Sequence, residues 1–185
     1  LAEKQFARML AEFTLKMWFI HRFLADTVIY QSKFSQHSCE LFLGKTGAKH
    51  TTIIYNGVDT EKIPTRNPSV TGQPTKLITF AKFRRRDQIE PILESVKLLN
   101  PESYSLDIYG SHTENLRSLF TGLPDNICFM GKQENQTILQ LLSQYDIFLF
   151  SDQSACPNSV LEAMAAGLPT VAFGRWPALR RFASQ

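Results

Sequence analysis

Cysteine is scarce: Cys39, Cys128 and Cys156 are the only three in 185 residues, widely separated and odd in number. That argues against a disulfide framework or a cysteine-rich metal cluster and points to reduced thiols in a cytoplasmic protein. The histidines, His21, His37, His50 and His112, fall into no His-Glu-x-x-His or related spacing, so no metal site is expected. Long apolar runs are missing as well. MWFI (17–20) and IFLF (147–150) are far too short to cross a bilayer, and the first residues lack the charged, apolar, small order of a leader peptide. A net charge of +3 makes no case for nucleic acid as a partner. With no repeat or long charge block, and with 43% hydrophobic residues, the expectation is a soluble globular chain with a sizeable core.

What the chain does have is alternation. From residue 76 strand and helix signals follow one another across short turns: KLITFAKF, then QIEPILESVKLL with Ile89, Ile92, Leu93 and Val96 at helical spacing, SLDIYG, a helix over TENLRSLF, NICFMG, the helix TILQLLSQY, DIFLFSD, the helix SVLEAMAAG and TVAFG. Asp87 and Glu90 resemble a capping box. Such a pattern predicts an α/β, doubly wound parallel sheet of Rossmann-like type, with binding groups gathered at the strand ends Lys82, Gly110, Gly131, Asp152 and Gly174.

Upstream, the strand DTVIYQS, a helix from about Phe34 and TTIIYNGVDTEKI lead into a Pro, Thr, Asn, Ser and Gly-rich stretch that reads as a connector. Residues 1–74 are therefore expected to be part of one domain plus the linker, and residues 75–185 a second domain. Phe6, Met9, Leu10, Phe13, Met17, Ile20 and Leu24 share one helical face, which suits a protein core or, less often, a membrane surface; the core is the expectation.

Two segments, IIYNGVDTEKI (53–63) and CPNSVLEAMAAGLPTVA (156–172), flank a basic turn, KFRRRD (82–87). In this order and spacing they resemble the retaining, nucleotide-sugar-dependent glycosyltransferases of the group 1 type, whose two Rossmann-like domains form the GT-B arrangement. The resemblance spans nearly the whole chain. It implies transfer of a sugar, with retention, from a nucleoside diphosphate donor that is a substrate rather than a resident cofactor, without a metal, to an acceptor that is a glycan, a lipid or a protein. It also implies that the chain is a fragment: the donor-binding domain with only the tail of the acceptor-side domain, ending early and inactive by itself, with peripheral membrane contact open to the longer protein.

The resemblance carries specific residues. Glu162 matches the second carboxylate of the family's Glu-x7-Glu motif, which accepts hydrogen bonds from the donor ribose, and the helix start at Asn158 and Ser159 offers N–H groups to the diphosphate. The first carboxylate of that motif falls on Ser154, with Asp152 out of register. Lys82 aligns with the family's diphosphate-binding arginine; for the second cation strict counting gives Asp87, a one-residue shift gives Arg86, and Arg84 is also within the turn. Lys82, Arg86 and Glu162 are the residues to which catalysis is assigned. Asn56 and Gly57 read as a plain turn on sequence alone and as a cleft loop in the family, and Gly131 as the turn where backbone meets the base. Beyond Gly174, RWPALRRFASQ departs from the family pattern. Two other readings stay open here: a binding module weakened in catalysis by Ser154, and a nucleotide-sugar epimerase, against which the NGVD and LEAMAAGLP wording argues.

Overall fold

In a computed structural model of the chain, the structure describes residues 2–66, 73–151 and 157–173. Contacts divide it into two compact units, Leu1–Asn56 and Gly57–Gln185. The division falls between Asn56 and Gly57, and Gly57 does not take up a positive φ. Residues 57–66, which the sequence reading places with the first domain and its linker, belong to the second unit: Ile63 is buried in its core, and the Arg66 amide donates to the Ala166 carbonyl at 2.7 Å.

In the first unit, helix α1 (Ala2–Phe19) runs into one wide π-helical turn, Ile20–Leu24. Strand β1 (Thr27–Tyr30), helix α2 (Lys33–Leu43) and strand β2 (His50–Ile53) follow, with β1 and β2 parallel. Two serines start α2: the Ser32 hydroxyl accepts from the Ser35 amide at 3.0 Å, and the Ser35 hydroxyl accepts from the Ser32 amide at 2.9 Å. Inside this unit His21 Nε2 and the Tyr30 hydroxyl form a buried hydrogen bond of 3.0 Å. Of the helical face expected to pack on a core, Phe13, Met17, Ile20 and Leu24 are exposed in this unit, and the side chains of Phe6, Met9 and Leu10 lie outside the described ones. The sheet of this unit has two strands, and α2 itself buries no residue.

The second unit is the predicted doubly wound fold. Its elements are β3 (Thr75–Phe83), α3 (Glu90–Lys97), β4 (Tyr104–His112), β5 (Ile127–Gly131), α4 (Asn135–Leu141), β6 (Ile147–Phe150), α5 (Asn158–Ala165) and β7 (Thr170–Ala172). The five strands form one parallel sheet in the order β5-β4-β3-β6-β7. Strands buried on both faces have little need of polar alternation, which is why KLITFAKF and IFLF read as strands. Leu77, Phe83, Leu106, Ile108, Ile127 and Leu149 pack with Ile92, Leu93 and Val96 of α3 on one face. Ile78, Phe80, Tyr109, Phe148 and Phe150 pack with Ile138 of α4 and Val160 and Ala163 of α5 on the other. Each such aliphatic or aromatic side chain contributes roughly 1.5–3 kcal/mol by burial.

Local details differ from the sequence reading in two places. TENLRSLF forms a 3-10 helix, Glu114–Phe120, rather than an α-helix, because Gly122 and Pro124 follow too soon for an i to i+4 pattern to propagate. The capping box of Asp87 and Glu90 is absent: α3 starts after Ile89 without a side-chain cap, and both carboxylates are taken by arginines of the preceding turn.

Candidate functional site

The order in which strands are added reverses at β3. The chain runs from β3 outward to β4 and β5, then returns to β6 and β7 on the other side, so the crevice at the carboxyl ends of β3 and β6 is the place where an open parallel sheet binds ligands. The turn after β3 and the end of β6 are tied together there: the buried Ser151 hydroxyl donates to the Asp87 carbonyl at 2.6 Å. Within the turn, buried Gln88 uses one side-chain oxygen to accept from the amides of Arg84 (2.7 Å) and Arg85 (3.0 Å). The backbone of the basic turn is therefore held by side-chain hydrogen bonds from within the turn and from the end of β6.

Its cations are not equivalent. Arg85 forms a forked pair with Asp87, at 2.9 and 3.1 Å, and this hydrogen bond holds the Asp87 carboxyl below the usual carboxylate range. Arg86 is engaged with Glu90 of α3, a contact that raises the arginine and lowers the glutamate from their ordinary values. Lys82 is exposed, and it makes no ion pair among the described residues; Arg84 is exposed as well. So of the cations predicted for a diphosphate, Lys82 is available as it stands, while Arg86 would have to leave Glu90.

A pocket of about 330 Å³ opens at the ends of β3, β4 and β5, where Lys82, Tyr109, Gly110, Ser111, Lys132 and Asn135 meet over Phe80 and Ile138. Two glycines shape it for different reasons. Gly110 has φ +131, and a Cβ there would sit 1.9 Å from the Ala81 carbonyl oxygen, so the neighbouring strand itself forbids a side chain. Gly131 has φ +73 with nothing within 4 Å of a Cβ, so it is the left-handed backbone, and not close approach, that calls for glycine. Below the pocket runs a buried polar relay: the Tyr145 hydroxyl donates to Asp107 Oδ2 at 2.7 Å, which leaves the Tyr109 hydroxyl to donate to Tyr145 at 3.0 Å. Burial, followed by these two hydrogen bonds, pushes the Tyr145 hydroxyl far up, so it stays neutral.

Helix α5 carries the predicted carboxylate. Glu162 is half-buried, and its Oε1 accepts from Asn135 Nδ2 at 3.3 Å, which links α5 to the residue lining the pocket. Asn158 and Ser159 form the first turn of α5 as expected, with Pro157 as its N-cap. Ser154, Asp152 and Cys156 lie outside the described residues, as does everything from Gly174 onward. The sequence reading missed Lys132 and Asn135. Lys132 was within reach, since it directly follows the glycine at a strand end; Asn135 was not, because its partner lies on another helix. Among the described residues, no group of three or more His, Cys, Asp and Glu gathers as a metal-ligand set, and no helix is long and apolar enough to cross a membrane.

Known proteins resemble this chain in sequence and in fold. The family described as "Glycosyl transferases group 1" matches residues 74–182, which takes in β3 through β7 and the pocket. Sulfoquinovosyl transferase SQD2 of Arabidopsis thaliana is 31% identical over 170 aligned positions, covering 84% of this chain and 32% of that protein. The amylovoran biosynthesis glycosyltransferase AmsK of Erwinia amylovora is 23% identical over 137, covering 67% of this chain and 34% of its own length. Among solved structures, HepE of Anabaena, crystallised with UDP and glucose, superposes with a TM-score of 0.73 at 19% identity, over 90% of this chain and 49% of that one. The chain thus spans about a third of the length of these curated relatives. With the profile covering more than half of it, the chain belongs to the group 1 glycosyl transferases, and its parallel-sheet unit has the Rossmann-like fold of the GT-B type.

Proposed function

We propose that this chain supplies the donor-binding side of a glycosyltransferase that moves a sugar, with retention of anomeric configuration, from a nucleoside diphosphate to an acceptor. The observation that carries the reading is the convergence of Lys82, Lys132 and the Asn135–Glu162 pair around one pocket at the strand carboxyl ends. A nucleoside diphosphate has three parts to be held, and this site has a group for each. A flat base suits the floor over Phe80 and Ile138 beside the Gly131 turn. The ribose diol donates two hydrogen bonds, for which a carboxylate such as Glu162 has two adjacent acceptors. The diphosphate suits Lys82, Lys132 and the amides at the start of α5, near Asn158 and Ser159.

In transfer, negative charge builds on the leaving diphosphate as the bond to the sugar breaks. Ammonium groups fixed beside it stabilise that charge more than they stabilise the ground state, so positioning and cationic stabilisation are the two contributions of this chain. No side chain is proposed as a nucleophile, and the donor enters as substrate and not as a resident cofactor. Retention rests on the family resemblance of CPNSVLEAMAAGLPTVA.

Calorimetry with uridine, adenosine and guanosine diphosphates tests the reading. One of them is expected to bind, and Glu162→Gln is expected to weaken it by roughly 1.5–3 kcal/mol, as for hydrogen bonds to a charged group. Absence of binding by all three, or unchanged affinity in a folded Glu162→Gln variant, would remove the proposal.

A further inference from the structure

We infer that Asn135 is a positioning residue for the donor ribose: it holds the Glu162 carboxylate in the orientation that receives the diol. The inference rests on the function proposed above and adds to it a second side chain.

Asn135 opens α4, yet it does not serve that helix as a cap. The N-cap is Glu134, which makes no side-chain cap bond, and the Asn135 amide reaches out to α5 instead. Asparagine is a poor helix former whose usual merit at a helix start is capping, so a side chain aimed elsewhere has some other use. The polarity of the contact is settled by chemistry: an ionised glutamate only accepts, so the amide turns its NH2 toward Glu162 and its oxygen away.

That arrangement constrains the carboxylate without neutralising it. No cation pairs with Glu162 among the described residues, whereas Asp87 and Glu90 are each occupied by an arginine. A lysine or arginine at position 135 would compete with the diol for the same oxygens; a neutral amide takes one lone pair of Oε1 and leaves Oε2 and the remaining lone pair for ligand. Asn135 also lines the pocket with Lys82 and Lys132, and Glu162, which is not itself in that lining, is joined to it through this contact. Fixing a flexible glutamate before the ligand arrives removes part of the ordering cost of binding.

The test compares a nucleoside diphosphate with its 2′,3′-dideoxy analogue, using the base that binds tightest, by calorimetry on the full chain. The unaltered chain is expected to prefer the ribonucleotide. Asn135→Ala is expected to weaken the ribonucleotide ~5–10-fold while leaving the dideoxy analogue unchanged, the size of one net hydrogen bond. Asn135→Asp keeps the shape but sets carboxylate against carboxylate, and is expected to lose the ribose preference as well. Adding Asn135→Ala to Glu162→Ala is expected to cost nothing further, since the first residue acts through the second. Equal weakening of both nucleotides by Asn135→Ala, or an intact ribose preference in that variant, would overturn the inference. If the preference survives there but disappears in Glu162→Ala, the reading of Glu162 stands and only Asn135 falls. If the unaltered chain itself ignores the ribose, both fall.

Discussion

The Ser151 hydroxyl donates to the Asp87 carbonyl at 2.6 Å, joining the end of β6 to the basic turn after β3 across the point where the strand order reverses. Ser151 is buried, and the bond holds the backbone of the turn that carries the cations, together with the Gln88 contacts inside it. Ser151→Ala is expected to cost about 1 kcal/mol of stability, the net worth of one such bond. It should also weaken nucleoside diphosphate binding, since the turn loses its tie to β6. Urea denaturation and calorimetry on the same variant check both effects; unchanged values in both would mean the tie is incidental.

The Arg85–Asp87 pair gives the turn a pH dependence of known sign. The arginine holds the Asp87 carboxyl below its ordinary value, so folding favours the ionised form; this stabilisation is present above the unfolded-state value, near 4, and is lost as pH falls through the lower folded-state value. The pair is largely exposed and its contribution is small. Asp87→Asn, which keeps the backbone carbonyl used by Ser151, is expected to be slightly less stable than the unaltered chain at pH 7. Denaturation midpoints of the two should converge as the pH falls far enough to protonate Asp87 in the folded chain; a gap that persists in stronger acid would assign the loss to something other than the ion pair.

Much of the second unit was legible because its strands are buried on both faces and its helices amphipathic, so hydropathy alone separates KLITFAKF from the helix carrying Ile92, Leu93 and Val96. The cations were visible in KFRRRD, but their partners were not: Asp87 and Glu90 looked like caps until the turn brought Arg85 and Arg86 onto them. Nor could spacing reveal Asn135 and Glu162, 27 residues apart, since their contact depends on α4 and α5 covering the same face of the sheet. In the first unit the helical periodicity of Phe13, Met17, Ile20 and Leu24 was real, but periodicity states which residues share a face and not what covers it.

Tyr145→Phe is expected to destabilise the second unit by about 1–3 kcal/mol, the cost of leaving a desolvated acceptor without its donor. The hydroxyl serves two neighbours, giving its proton to Asp107 and accepting from Tyr109, so removing it strands both ends of the relay while leaving the ring packing intact. Because Tyr109 also lines the pocket, binding should weaken too, and by less than in Glu162→Gln. A Tyr145→Phe variant as stable as the original in urea would mean that water replaces the hydroxyl at no cost.

The two pocket glycines separate backbone strain from steric exclusion. At Gly131 an alanine meets open space, so Gly131→Ala is expected to cost only the left-handed conformation, about 1–2 kcal/mol, and Gly131→Asn less, since asparagine tolerates that region best. At Gly110 the same methyl group would lie 1.9 Å from the Ala81 carbonyl oxygen, in addition to an unfavourable φ of +131. Strand β4 would have to move away from β3, its partner along nine paired residues from Thr75↔Tyr104 to Phe83↔His112. Gly110→Ala is therefore expected to lose more stability than Gly131→Ala by a wide margin, or to fail to fold. Thermal melts of the three variants, with circular dichroism to confirm sheet content, make the comparison. Similar melting temperatures for Gly110→Ala and Gly131→Ala would show that β4 yields easily at its end, and that the pocket wall there is softer than the packing of β3 against β4 implies.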